Sequence, residues 1–349
     1  MKINVYVLVF GIVGVLIVAA ALSTFVFNMS TSSGSLQNLG PAPDVQGTSG
    51  WINSEPLHIP QLAGKVVLID FWTYSCINCI RTIPFLNALQ NKYGSNGLVI
   101  IGVHTPEFQF EKNHSNVLAA VQKFGIKYAV VLDSNSSTWN AYNNRYWPAH
   151  YIIDKSGIIR YEQFGEGNDN QTESVIRTLL KEANYSISQN LTNVTSSTDF
   201  SQIRSPEIYL GYREARVPLG NTQGFSPGQT VNYTFSNITQ VNSVYLLGPW
   251  YNSQDSMVAA SNESKLFLVY SAKDVNIVAG GNSSVAVSLD GSDLQQAYLG
   301  ADARLQNNTA IVSINSSRLY NIVSAPIYGP HALEIDATQN FRIYTFTFG

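Results

Sequence analysis

Only two cysteines occur in the 349 residues. The chain therefore has no spare thiols for a framework of structural disulfides. A closed structural zinc site usually takes four ligands; there is no second Cys-x-x-Cys, and the five histidines form no recognisable ligand pair, so no metal site is expected. Charge is also sparse. Twenty Lys and Arg stand against 23 Asp and Glu, for a net charge of −3, and no like-charge run or basic stripe is present to hold a phosphate backbone. That argues against nucleic acid as a partner. No internal repeat is evident. What the chain does have is 45% hydrophobic and 11% aromatic content, ample for packed cores, and length enough for two domains.

The apolar content is concentrated first at the N-terminus. After Lys2 the sequence runs without a charge to Phe27. A transmembrane helix needs roughly 20 such residues and a cleavable signal core about 7–15, so residues 1–28 are expected to be a signal-anchor. Lys2 ahead of the helix favours a cytoplasmic N-terminus, a single pass through the cell membrane and both folded domains outside the cytoplasm. Ala19, Ala20 and Ala21 keep a cleaved, secreted form open as the alternative. Sequons such as Asn113-His-Ser, Asn190-Leu-Thr, Asn232-Tyr-Thr and Asn282-Ser-Ser agree with export and glycosylation, although an Asn- and Ser-rich chain also makes them by chance.

Residues 29–49, rich in Ser, Gly, Pro and Asn, are expected to be a flexible stalk. From residue 50 the apolar runs "KVVLIDFW" and "GLVIIGVH" suit buried strands, and between them Ile80, Ile83, Leu86 and Leu89 recur at helical spacing before Gly94. A second helix is expected in "FEKNHSNVLAAVQKFG", a strand in "YAVVLD", a hairpin turning on Lys155-Ser156-Gly157, and a last helix in "TESVIRTLLKEANY" with Thr172 as its cap. Alternating strands and helices over residues 50–185 indicate an α/β layer fold. Residues 186–202 are polar and unpatterned, a linker. Over residues 203–349 short β-branched and aromatic segments follow one another between Gly, Asn and Ser, with no convincing helix, which indicates an all-β sandwich, jelly-roll-like.

The two cysteines lie together in "DFWTYSCINCIRTIP". With Cys76 at the start of the helix, Cys79 falls one turn later on the same face. The helix N-terminus offers free N–H groups and partial positive charge to a Cys76 thiolate, making Cys76 the nucleophile and Cys79 the resolving thiol. A structural bridge closing so small a loop constrains the unfolded chain little. The pair is therefore read as a redox-active disulfide that needs no other cofactor.

Asp70-Phe71-Trp72, Cys76, Cys79 and Pro84 together resemble the thioredoxin pattern. By that resemblance Asp70 is a buried carboxylate handling the proton of Cys79, and Pro148 in "RYWPAHYIID" is the cis-proline facing the cysteines. As a strand-end cap and an ordinary trans proline, respectively, these two residues would carry no chemistry. Trp72, Tyr74 and Trp147 would line an apolar docking wall for the client chain, although aromatics are more often core. His150 is read as a packing residue. "WTYSCINCIRTIPFL", "HTPEF", "YWPAHYIID", "SPEIYLGY" and the terminal "IYTFTFG" further resemble DipZ-type proteins, a branch of the TlpA-like thioredoxins whose C-terminal sandwich is similar to carbohydrate-binding modules. The resemblance implies an exported thiol–disulfide oxidoreductase acting on protein thiols and disulfides. DipZ-type proteins usually begin with a polytopic electron conductor, so a separate membrane electron donor of the cytochrome-biogenesis type is expected as a partner. Ile77-Asn78 between the cysteines carries no charged or imidazole group, which favours a reductant or isomerase over a strong oxidant. Trp250, Tyr251 and Tyr298 are candidates for stacking on sugar rings, with a place in the core as the alternative. Two alternatives stay open: a surface glycan- or protein-binding protein with an inert disulfide, and a thiol peroxidase supported by Arg81.

Overall fold

The computed structural model describes residues 36–187, 190–194 and 198–349. Among them no helix is long and apolar enough to cross a membrane; the transmembrane helix expected over residues 1–28 lies outside the described residues.

The first half is built in the order β1 (Trp51–Ile52), β2 (Val66–Trp72), α1 (Ile77–Tyr93), β3 (Leu98–His104), α2 (His114–Lys123), β4 (Ala129–Leu132), α3 (Ser137–Ala141), β5 (Ala149–Ile153), β6 (Ile159–Phe164) and α4 (Asp169–Glu182). The sheet order is β1-β4-β3-β2-β5-β6, with β2, β3 and β4 parallel and the others antiparallel to their neighbours. All seven residues of β2 are buried, which is why its sequence is a continuous apolar run broken only by Asp70. Successive side chains alternate faces. Val67, Ile69 and Phe71 join Ile101, Val103, Tyr151 and Ile153 in one core, leaving Asp70 and Trp72 on the opposite face. Pro84 sits inside α1, where the missing N–H removes one rung of the helix ladder. The last helix begins at Asp169 after Asn168, whose side chain makes no cap, so Thr172 is one turn inside it and not its cap.

The stalk expectation is corrected for residues 39–49. Leu39 N–H donates to Ile159 O and Ala42 N–H to Gly157 O, and Val45 is buried in the core. Asp44 Oδ1 accepts from the backbone of Ile59 at 2.8 Å. A composition that looked like a tether thus supplies an edge to the domain. Part of the linker is also fixed, since Thr192 N–H donates to the buried Glu173 at 2.7 Å.

The C-terminal half is antiparallel throughout. Eleven strands form one continuously hydrogen-bonded sheet. Two long strands, Ser264–Gly280 and Arg318–Ala337, pair along most of their length with a register shift between Ala272 and Asp274. On one side of that shift Lys265–Leu268 pair with Val244–Leu247, and on the other Val275–Gly280 pair with Arg342–Phe348. The strand Ser264–Gly280 therefore serves two neighbours in turn. The strands enclose a core that includes Trp250, Tyr270, Ile277, Phe341 and Phe346.

The halves meet through aromatic side chains. Phe108 from the loop after β3 packs with Tyr209, Val278 and Tyr344 of the β domain, and Phe110 meets Tyr344 with ring centroids 4.8 Å apart. Tyr74 donates its hydroxyl to Ser317 O at 3.2 Å. Residues 39–349 form one unit.

Candidate active site

Cys76 is the N-cap of α1. Its backbone is extended (φ −77°, ψ 116°) and its Sγ accepts from the Cys79 N–H at 3.4 Å. Sulfur takes the role that a Ser or Asp oxygen usually plays at this position, satisfying one of the unpaired N–H groups of the first turn. Both thiols are free; Cys76 is half-buried and Cys79 fully buried. Burial pushes the Cys79 thiol well up, helped by its contact with Cys76 and by the negative charge of Asp70. Cys79 thus holds its proton while the more exposed Cys76 meets a partner.

Below the pair lies a buried polar group. The β2–β5 register sets Asp70 opposite His150, and His150 Nε2 stands 3.3 Å from Asp70 Oδ1, a charge-pairing distance without hydrogen-bond alignment. Neither Asp70 oxygen nor either His150 nitrogen has a hydrogen-bond partner, and the Tyr128 hydroxyl beside them is also unpaired. Burial, then the charges of Asp70 and Cys79, push the Tyr128 phenol well up. Gly102 makes room for this cluster: a Cβ there would lie 3.0 Å from Trp72 Nε1 and 3.1 Å from Tyr128 Cε2. His150, read from sequence as packing, is the polar neighbour of the candidate proton-handling carboxylate. The cue was its position two residues past Pro148, which the strand pairing converts into proximity.

The loop carrying Cys76 is pinned from beneath. Glu111, fully buried, accepts from Ser75 Oγ at 2.5 Å, from the Glu107 N–H at 2.6 Å and from the Phe108 N–H at 2.9 Å. Even with these bonds, burial holds its carboxyl above the usual range. Glu111 carried no motif in the sequence and was missed. The Trp147–Pro148 bond is cis, and Trp147 Nε1 donates to Thr105 O at 3.2 Å. Trp147 and Cys76 line a cavity of about 40 Å³ with Glu107, Glu207 and Tyr209.

The docking wall needs correction at two of its three positions. Trp72 is 1% exposed and packs edge-on against His104, which burial pushes down to about 3 and so keeps neutral. Tyr74 is likewise buried, stacked on His104 and tied to the β domain. Trp147 alone remains partly open beside Cys76. Trp250 is a core residue at 0% exposure, its indole N–H donating to Leu247 O, so it offers no face to a sugar ring, whereas Tyr251 is 40% exposed. Arg81 is engaged with Glu166 through two bonds of 2.9 and 3.0 Å, which commits its guanidinium away from the thiols. Ile77, next to the nucleophile, borders a cleft of about 550 Å³ formed with Tyr74, Ile80 and Phe124 on one side and Asp274 and Asn321 on the other.

A thiol capping a helix, a buried second thiol one turn on and a carboxylate nearby are the arrangement of a thioredoxin-like domain, here joined to a C-terminal β domain. Residues 40–180 match the Redoxin family model, and residues 205–349 match the model of the thioredoxin-like C-terminal domain. The chain is similar to Protein DipZ of Mycobacterium tuberculosis, 35% identical over 327 residues that cover 92% of this chain and 45% of that protein. It spans about half the length of these curated relatives. The thiol-disulfide oxidoreductase YkuV of Bacillus subtilis is 28% identical over 142 residues, 41% of this chain and 95% of that one. Among solved structures, a thiol-disulfide isomerase from Corynebacterium glutamicum aligns with a TM-score of 0.37 and 25% identity over 40% of this chain and 96% of that one. The similarity to Protein DipZ therefore extends over nearly the whole chain, and the similarity to YkuV is confined to a stretch the size of the Redoxin match.

Proposed function

We propose that the protein is an exported thiol–disulfide oxidoreductase that reduces or isomerises disulfides in client proteins, held to the cell membrane by residues 1–28. The observation that carries the reading is the asymmetry of the pair: Cys76 half-exposed at the helix N-cap, Cys79 buried with its thiol pushed up, and Asp70 near it. In the reducing direction Cys76 attacks a client disulfide and Cys79, relieved of its proton by Asp70, resolves the mixed disulfide. Trp147 and the cis Pro148 border the approach, and the cleft beside Ile77 gives the client chain space. The uncharged Ile77-Asn78 between the cysteines supports the reductive direction. Electrons would be restored by a membrane donor. The uncharged run from residue 3 to Phe27 supports the anchor and the extracytoplasmic site of action.

The test is Cys79→Ser in the full-length chain, incubated with oxidised client protein. Mixed disulfides on Cys76 that dithiothreitol releases are expected. A variant that forms no adduct, beside an unaltered chain that reduces no disulfide, rejects the reading.

A further inference from the structure

Glu107 follows β3 in the loop that meets the β domain, and its Oε1 accepts from the Tyr209 hydroxyl at 2.6 Å. Tyr209 belongs to the other half of the protein, in a strand pairing with the C-terminal strand through Thr345 and Phe346. Glu107, Tyr209 and Glu207 share the cavity of about 40 Å³ with Cys76, and the charge of Cys76 reaches the Tyr209 phenol. Four titratable or charged groups act on the Glu107 carboxyl, Glu111 of the same loop and Tyr209, Glu207 and Arg216 of the β domain, and Cys76 of the α1 N-cap lines the same cavity. Burial and the two neighbouring carboxylates outweigh the Tyr209 hydrogen bond and the Arg216 charge, pushing Glu107 up to about 8. A carboxyl raised in this way is suited to exchange a proton with a thiol that lines the same cavity.

We propose that Glu107 is the acid–base partner of Cys76 and that Tyr209, reaching across from the β domain, is its positioning residue. The proposal rests on the thiol–disulfide reading and adds to it where the first proton goes. In the reducing direction the Glu107 carboxylate takes the proton from Cys76 Sγ. The thiolate attacks a client disulfide, forming the Cys76–client bond and breaking the client S–S bond, and Glu107 returns its proton to the leaving client sulfur. Cys79, deprotonated by Asp70, then attacks Cys76 Sγ, closes the Cys76–Cys79 disulfide and expels the second client sulfur, which takes the proton from Asp70. Two electrons and two protons pass from the cysteine pair to the client disulfide. The β domain is on this account part of the redox site, since without Tyr209 the carboxyl beside Cys76 loses its hydrogen-bonded anchor.

The experiment uses the full-length chain, its Glu107→Gln, Glu107→Asp and Tyr209→Phe variants, iodoacetamide alkylation of Cys76 followed across pH by mass spectrometry, and single-turnover reduction of insulin. If Glu107 exchanges a proton with Cys76, alkylation of the unaltered chain follows the Glu107 carboxyl in one of two pH steps. Glu107→Gln should show one step and reduce insulin at least about tenfold more slowly at pH 7, as for loss of a general acid–base group. Glu107→Asp should restore the two-step profile, and Tyr209→Phe should shift it while leaving the ring packing intact. A Glu107→Gln profile and rate equal to those of the unaltered chain would overturn the proposal while leaving the oxidoreductase reading standing. If Glu107→Gln does not fold, Tyr209→Phe decides, and an unshifted profile overturns the proposal. Failure of the unaltered chain to reduce insulin overturns both readings.

Discussion

Glu111 offers the sharpest separation of charge from geometry. Its carboxylate accepts from the Ser75 hydroxyl and from the N–H groups of Glu107 and Phe108, all within 2.9 Å, with no part of the residue exposed. Glu111→Ala leaves three donors without an acceptor; at about 1 kcal/mol or more for each unsatisfied group, a loss of about 3–5 kcal/mol is expected. Glu111→Gln behaves differently. Its carbonyl still accepts from both N–H groups, its amide donates to a Ser75 hydroxyl turned to receive it, and the cost of burying a charge disappears. That variant should lie within about 1 kcal/mol of the unaltered protein near neutral pH. Chemical denaturation followed by tryptophan fluorescence measures both, and alkylation of Cys76 reports whether its loop has loosened. Equal, large losses for the two variants would refute the reasoning, because the carboxylate charge itself would then be holding the loop.

Asp70→Asn should leave mixed-disulfide formation on Cys76 nearly intact and slow its resolution by about 100-fold, the lower end for a general base; stopped-flow quench with acid separates the steps. A change in the first step alone would contradict the assignment. Trp250→Ala should cost about 3–5 kcal/mol through the cavity it leaves, without changing the insulin reduction rate of the protein that remains folded. For Glu107 the sign is set by a folded-state value near 8 against an ordinary 4.5. Its stabilising contribution is complete below about pH 4.5 and is lost as pH rises toward 8. Glu107→Gln removes that dependence, so its stability relative to the unaltered protein should rise between pH 5 and 8, by about 1–2 kcal/mol after discounting for partial exposure. A flat difference would show that Glu107 does not titrate in this window.

The redox half was legible because its signals are local. Buried parallel strands read as apolar runs, α1 carries its own periodicity, and the spacing of Asp70, Cys76, Cys79 and Pro84 is contained within 15 residues. The short helix Ser137–Ala141 was not legible, since five residues are too few to establish a period. In the β domain the change of neighbours after Ala272 left no cue in the sequence beyond Lys273 and Asp274, which interrupt the apolar alternation at that point. Residues 39–49 read as a tether because Gly and Pro carry no periodicity; their order comes from backbone bonds to the β6 edge, which side-chain composition does not encode. For Trp72, Tyr74 and Trp250 the sequence left both a binding surface and the core open, because an aromatic side chain does not by itself reveal which face it occupies; the structure puts all three in the core.

What sequence hid most completely is the contact between the halves. Tyr209 and Glu107 are separated by 102 positions, yet their 2.6 Å bond lies at the rim of the cavity holding Cys76. Phe108 and Tyr344 add an aromatic seal of 5.0 Å between centroids to the same seam. The β domain thereby becomes a wall of the cavity at Cys76, and substitution of Tyr209 is expected to alter the pH dependence of chemistry there.

The most direct test of the central claim is the reduction potential of the Cys76–Cys79 couple, obtained by equilibrating the protein against glutathione and dithiothreitol buffers and trapping free thiols. A value near that of thioredoxin, about −270 mV, is predicted for a client reductant. A couple poised near about −120 mV would contradict the reductive direction, and one that does not equilibrate at all would contradict the redox function itself.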